Sequence, residues 1–192
     1  MTPTGQPVRV AALVSGGGTN LQALLDSLTA SSIARVTRVI SNRPAAGALE
    51  RARRSGVATT VLRDPADAAE LLGALGDAQL VVLAGYMKLI PAAVVSRFRG
   101  RMINIHPALL PDFGGAGMYG QHVHAAVLAS GAKESGATVH FVDEEFDRGA
   151  IIAQERVRIE TGDTPESLAA RVLEAEHRLL PRVVLDLARR MS

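Results

Sequence analysis

"AQLVVLAGYMKLIPAAVVSRFRGRMINIH" (residues 78–106) sets a helical pattern between two apolar runs. "AQLVVLAG" (78–85) is apolar without alternation, the pattern of a strand buried on both faces. "PAAVVSRFRG" (91–100) opens with Pro at the first helical position and closes with Gly, a helix start and stop. "RMINIH" (101–106) is the next strand. Strand, helix and strand in so short a span make a βαβ unit, whose two strands run parallel.

The same alternation extends upstream. "VRVAALVS" (8–15) reads as a buried strand, and Leu21, Leu24, Leu25 and Leu28 mark one face of a helix in "NLQALLDSL" (20–28). Strands follow at 35–41 and 57–62, with helices at 46–56 and 69–76. Downstream the pattern changes. A Gly-rich loop (114–120) leads into a helical "HVHAAVLASG", and strands at 137–143 and 150–160, one short loop apart, are expected to pair antiparallel. The last helix starts at Thr164-Pro165-Glu166 with cap, Pro and acid in order. It carries Leu168, Val172, Ala175 and Leu179 on one stripe, and Pro181 is expected to kink or restart it. Residues 1–7 read as a frayed leader. The predicted fold is α/β: a doubly wound, mostly parallel sheet with an antiparallel contribution in the C-terminal half. Residues 1–192 read as one domain in two packed halves, 1–100 and 101–192.

Composition narrows the function. No apolar run is long enough to span a membrane, and no basic-then-apolar leader opens the chain. The cytoplasm is the expected compartment. The absence of cysteine excludes disulfides, thiolate nucleophiles and cysteine-bound metals. The pI near 9.5 rests on a net charge of only +2, with basic and acidic residues mixed throughout. Without a basic stripe, and with 3% aromatics, no nucleic-acid partner is expected.

"VSGGGTNLQ" (14–22) lies between the first strand and first helix, where backbone N–H groups favour an anion. It lacks the third glycine of a dinucleotide fingerprint and the Gly-Lys-Ser/Thr of a Walker loop. What remains is a loop able to hold a phosphomonoester through the amides around Gly18, Thr19 and Asn20. It reads equally well as a tight turn with Thr19 or Asn20 as N-cap.

Asn104 and His106, two apart in a strand, project from one face at the strand's carboxyl end, where open α/β sheets bind ligands. "DEEFDRGAII" (143–152) puts acids in a loop between two strands. A carboxylate reaching His106 would hold its tautomer and raise its pKa. Spacing leaves Asp143, Glu144, Glu145 and Asp147 equal candidates. His122 and His124 begin a helical pattern, on which i, i+2 residues diverge, so no metal site is expected. His140, between Val139 and Phe141, reads as structural or as a support to a neighbour in the site.

Four ordered motifs, "SGGGTNLQ", "LAGYMKLI", "NIHPALLP" and "GATVHFVDEEFDRGAIIAQ", resemble the phosphoribosylglycinamide formyltransferases from Val8 to about Pro181. The resemblance implies a Rossmann-like formyltransferase fold, with a phosphate-binding N-terminal half and a catalytic, folate-binding C-terminal half. It implies catalytic Asn104, His106 and Asp147. It assigns Gly18, Thr19, Asn20 and Glu176 to phosphate and ribosylglycinamide. It assigns the backbone of Met87, Lys88, Leu89 and Ile90, with the loop of Asp143, Glu144, Glu145 and Phe146, to folate, and Arg63 is a further candidate. The implied co-substrate is 10-formyltetrahydrofolate, with no metal. The chain departs from the family in a short 62–79 segment and in a long 112–124 loop that keeps Gly120 and His124 in G-x-x-x-H spacing.

The implied chemistry is direct formyl transfer to a primary amine through a tetrahedral intermediate, because neither a G-x-S-x-G elbow nor a cysteine offers a nucleophile. A formyltetrahydrofolate hydrolase is expected to carry a further N-terminal domain, and a methionyl-tRNA formyltransferase a basic C-terminal one. A non-catalytic sugar-phosphate sensor would have no use for Asn104, His106 and Asp147 together. The expected partners are small molecules, and a homodimer is compatible with the reading.

Overall fold

Alternate residues of the first strand, β1 (Val8–Val14), enter two different cores, and this splits the molecule into layers. Val8, Val10, Ala12 and Val14 pack with helices α1 (Thr19–Leu28), α2 (Gly47–Arg54) and α6 (Pro165–Met191). Ala11 and Leu13 pack on the other face with α3 (Ala68–Leu75) and α4 (Ala92–Arg97). A strand clothed on both faces needs no polar side, which explains its unbroken apolar run. These relations come from a computed structural model that describes residues 5–191; of the leader expected at 1–7, residues 1–4 lie outside the described residues.

The remaining strands are β2 (Ala34–Ser41), β3 (Ala58–Val61), β4 (Leu80–Leu83), β5 (Met102–His106), β6 (Glu134–Phe141) and β7 (Ile151–Arg158). They form one sheet in the order β3-β2-β1-β4-β5-β6-β7. The first five positions pair in parallel, whereas β6 runs antiparallel to β5 and β7 antiparallel to β6. The chain winds outward from β1 to β3 and then returns to place β4 on the other side of β1. The connections beyond the carboxyl ends of β1 and β4 therefore part there, opening the crevice where doubly wound sheets hold ligands. The glycine loop leaves β1 at this point, and the Met87–Ile90 segment leaves β4.

Each expected element is present, with ends shifted by a few residues. Leu21, Leu24, Leu25 and Leu28 are all buried, as are Leu168, Val172, Ala175 and Leu179. The start of α6 is capped where expected: the Ser167 amide donates to Thr164 Oγ1 at 3.2 Å. The restart expected as one outcome at Pro181 is corrected. The helix continues through it to Met191, with Pro181 buried among Leu179, Leu180, Val183 and Val184. One missing backbone hydrogen bond does not end a helix whose apolar face is anchored on both sides of the gap. The helical stretch after the Gly-rich loop is α5 (Gln121–Ala129), which packs through Val123 and Val127 on Leu168 and Val172 of α6.

Candidate active site

β5 ends with Asn104 and His106 on one face, and the β5–β6 register sets His140 directly across from Asn104. Asp147 reaches them from the loop between β6 and β7, held at φ 58, a left-handed conformation that Asp tolerates better than most residues. Its Oδ1 accepts from Asn104 Nδ2 at 3.3 Å and stands 3.5 Å from His140 Nε2. Its Oδ2 accepts the Gly115 amide at 2.9 Å and stands 3.5 Å from His106 Nδ1. Of the four acids left open by spacing, Asp147 is the one that meets His106. Burial alone would push the Asp147 carboxyl up; His140, the His106 charge and the Gly115 amide outweigh it, leaving the pKa lowered and the group ionised.

The hydrogen-bond partners decide the tautomers. His140 Nδ1 donates to the Phe141 carbonyl at 2.8 Å, while its Nε2 stands between Asn104 Nδ2 at 3.1 Å and Asp147 Oδ1 at 3.5 Å. His106 Nε2 has the carbonyl of Phe113 at 2.9 Å and therefore carries a proton. The expected upward shift of His106 is corrected. Burial pulls its pKa down by more than Asp147 and the Phe113 carbonyl push it up, so the net shift is downward. The desolvation of an imidazole that is 3% exposed exceeds the attraction of a carboxylate 3.5 Å away.

The second cluster lies at the glycine loop. Gly18, at φ 77, caps α1 by backbone alone, so neither Thr19 nor Asn20 is the N-cap. A methyl group on Gly18 would sit 2.6 Å from Ala48 Cα and Cβ. Asn20 Nδ2 donates to Glu176 Oε2 at 3.3 Å, which joins the loop to α6. Burial pushes Glu176 up to about 7, and the Asn20 amide opposes that shift.

A cavity of about 520 Å³ joins the two clusters, with Asn20 and Glu176 in its lining together with Asn104, His106, His140 and Asp147. That volume suits a ligand of cofactor size. Met87, Lys88, Leu89, Ile90, Asp143, Glu145 and Phe146 also face it. Met87, Leu89 and Phe146 are 43%, 49% and 39% exposed, an apolar surface left open beside the polar cluster. Not every candidate is gathered here. Gly18 and Thr19 stand outside the lining, Glu144 turns toward Arg99 Nη2 at 3.9 Å, and Arg63 is a solvent-exposed partner of Glu70 at 3.5 Å. On α5, His124 is buried and faces the cavity, whereas His122 is exposed. Among the described residues, no group of three His, Asp or Glu side chains could hold a metal.

Sequence reasoning undervalued His140 and passed over the backbone of Phe113 and Gly115. His140 belongs to the cluster only because β6 pairs with β5, and more than twenty residues separate those strands in the chain. The backbone contacts carry no side-chain signature.

Fold and site together define a doubly wound α/β protein with a polar cluster in a ligand-sized cavity: residues 8–184 match the formyl transferase family, and the chain belongs to that family. Within it, the chain is similar to phosphoribosylglycinamide formyltransferases. It is 38% identical over 186 residues to that enzyme of Escherichia coli (strain K12), covering 92% of this chain and 85% of the relative. It is 46% identical over 186 residues to the chloroplastic enzyme of Arabidopsis thaliana, covering 92% of this chain. The chain spans only 64% of that plant relative's length. The crystal structure of glycinamide ribonucleotide transformylase 1 from Symbiobacterium toebii superimposes with a TM-score of 0.88 at 42% identity, covering 98% of this chain and 91% of that one.

Proposed function

We propose that this chain transfers the formyl group of 10-formyltetrahydrofolate to the amine of 5-phosphoribosylglycinamide. The products are formylglycinamide ribonucleotide and tetrahydrofolate, in de novo purine (IMP) biosynthesis. The observation that carries the reading is the meeting of Asn104, His106 and Asp147 at a cavity also lined by Asn20 and Glu176. The donor set fits a folate. Met87, Leu89 and Phe146 offer apolar surface to a flat ring, and the Met87–Ile90 and Asp143–Phe146 segments supply backbone groups beside it.

In this reading the amine attacks the formyl carbon directly, and negative charge builds on the formyl oxygen. Asn104 and protonated His106 donate hydrogen bonds to that oxygen, the kind of stabilisation that dominates acyl transfer. Both donors are engaged within the protein, so each exchanges a partner. Asn104 gives up its longer contact, 3.3 Å to Asp147, and His106 gives up the Phe113 carbonyl. The bond from the carbon to the folate nitrogen then breaks as His106 passes a proton to that departing nitrogen, directly or through water, and the ring takes up the proton that the attacking amine sheds. Asp147 holds the ring and favours its cationic form. On the acceptor side, Gly18, Thr19 and Asn20 receive the phosphate, and Glu176 approaches the glycinamide. We assign phosphate binding to residues 1–100 and catalysis to residues 101–192, with folate held mainly by the latter and the Met87–Ile90 segment contributed by the former.

The cytoplasm is the compartment we propose, a setting that suits a chain without cysteine. A homodimer is compatible with the reading, and light scattering at enzyme-assay concentrations distinguishes it from a monomer. The function is tested by an absorbance assay with phosphoribosylglycinamide and a 10-formyl folate. Turnover that requires the amine supports transfer, whereas formate released without amine identifies a hydrolase.

A further inference from the structure

The carbonyls of the glycine loop are held by α2 at two positions and by α1 itself at the third. The Gly16 carbonyl accepts the Ala48 amide at 3.1 Å, the Gly17 carbonyl accepts Arg51 Nε at 2.8 Å, and the Gly18 carbonyl accepts the Gln22 amide at 2.9 Å. In a trans peptide the carbonyl and the following N–H point in opposite directions. The three bonds therefore aim the Gly17, Gly18 and Thr19 amides away from these partners. Among the described residues, the Gly17 and Gly18 amides have no acceptor, and the buried Asn20 Oδ1 beside them has no partner. Only one of the three bonds comes from a side chain, and that side chain is charged.

Arg51 is half-buried on α2, with its remaining bond running from Nη1 to Gln22 Oε1 at 3.3 Å. Gln22 in turn donates to Asp26 at 2.8 Å. No carboxylate pairs with Arg51 among the described residues, although Arg53 and Arg54 on the same helix both meet Glu50. Its charge is thus left uncompensated one peptide away from the amides.

We infer that Arg51 is a positioning residue for the acceptor's phosphate. It orients the Gly17–Gly18 peptide so that the amides face the phosphate, and its unpaired charge strengthens their pull on an anion. The inference rests on the proposed acceptor being a phosphate monoester. It predicts a penalty tied to the phosphate and not to folding.

The test compares Arg51→Gln and Arg51→Lys with the parent on two acceptors, phosphoribosylglycinamide and its dephosphorylated form, in the full chain. Arg51→Gln should raise KM for the phosphorylated acceptor about tenfold, the scale of one charge-assisted hydrogen bond. Its kcat and the KM for the formyl donor should stay within about twofold. Arg51→Lys, which keeps the charge but not the Nε geometry, should fall between. On the dephosphorylated acceptor, parent and variants should have the same kcat/KM. An equal penalty on both acceptors, or none on either, overturns the inference. If the parent itself turned over neither acceptor, the proposed function would fail separately. Calorimetry with ribose 5-phosphate would then decide the role of Arg51, since the inference requires Arg51→Gln to weaken that binding about tenfold.

Discussion

His106 is held between two acceptors, with Nε2 at 2.9 Å from the Phe113 carbonyl and Nδ1 at 3.5 Å from Asp147 Oδ2. Such a cradle suits the imidazolium, while burial works against it and prevails. The cationic ring is therefore present below a lowered pKa and is lost as pH rises through it. Asp147→Asn removes the largest upward influence on that pKa and lowers it further. The expected outcome is a kcat about 10²-fold below the parent at neutral pH. The alkaline limb of the rate profile should also move to lower pH. A variant with an unmoved limb and near-parental kcat would show that the carboxylate does not act through His106.

Asn104 is expected to matter only while charge is on the formyl oxygen. Asn104→Ala should lower kcat by about 10²- to 10³-fold, the usual cost of losing one oxyanion donor. The KM values of both substrates should change little, because the ground-state carbonyl needs the bond less. A loss confined to KM would assign Asn104 to binding instead.

The architecture was legible wherever one surface decided it. Leu21, Leu24, Leu25 and Leu28 could only face a core, and β4 could only be covered on both sides. Asn104 and His106 share a strand, so their common direction follows from the period of two. Asp147 was harder to single out, since a five-residue acidic stretch offers four carboxylates and only the turn at φ 58 selects one. His140 depended on a long-range register. The downward shift of His106 depended on burial, which no spacing reveals. The possible restart at Pro181 was misread for a related reason: local propensity argues against a continuous helix, and packing on either side of the proline overrides it.

Tyr86 carries a buried hydroxyl that has no partner among the described residues, in a core with Ile40, Leu62 and Leu71, and burial pushes its pKa up to about 12. Tyr86→Phe removes the orphaned oxygen and keeps the ring. The variant should be more stable by about 1 kcal/mol, at the low end of the cost of an unsatisfied buried polar group. That gain corresponds to a rise in Tm of about 2–4 °C for a chain of this size. A lower Tm would mean that the hydroxyl is satisfied in solution, by water or by a ligand.

Glu176 links stability to pH in the direction opposite to most carboxylates. Its pKa is raised from 4.5 to about 7, first by burial, against the Asn20 amide. The protonated group is therefore accommodated at no electrostatic cost below pH 4.5. As pH rises from 4.5 to about 7 the unfolded chain ionises first, and the folded state is progressively disfavoured. Above about pH 7 the full penalty applies, on the order of 3 kcal/mol from the size of the shift. Glu176→Gln keeps an acceptor for Asn20 and cannot ionise. Its Tm should match the parent's near pH 4.5 and exceed it by several degrees at pH 8. The same variant should bind phosphoribosylglycinamide more weakly if Glu176 meets the glycinamide. A Tm difference that does not grow between these pH values would show that the carboxylate is solvated in the folded protein.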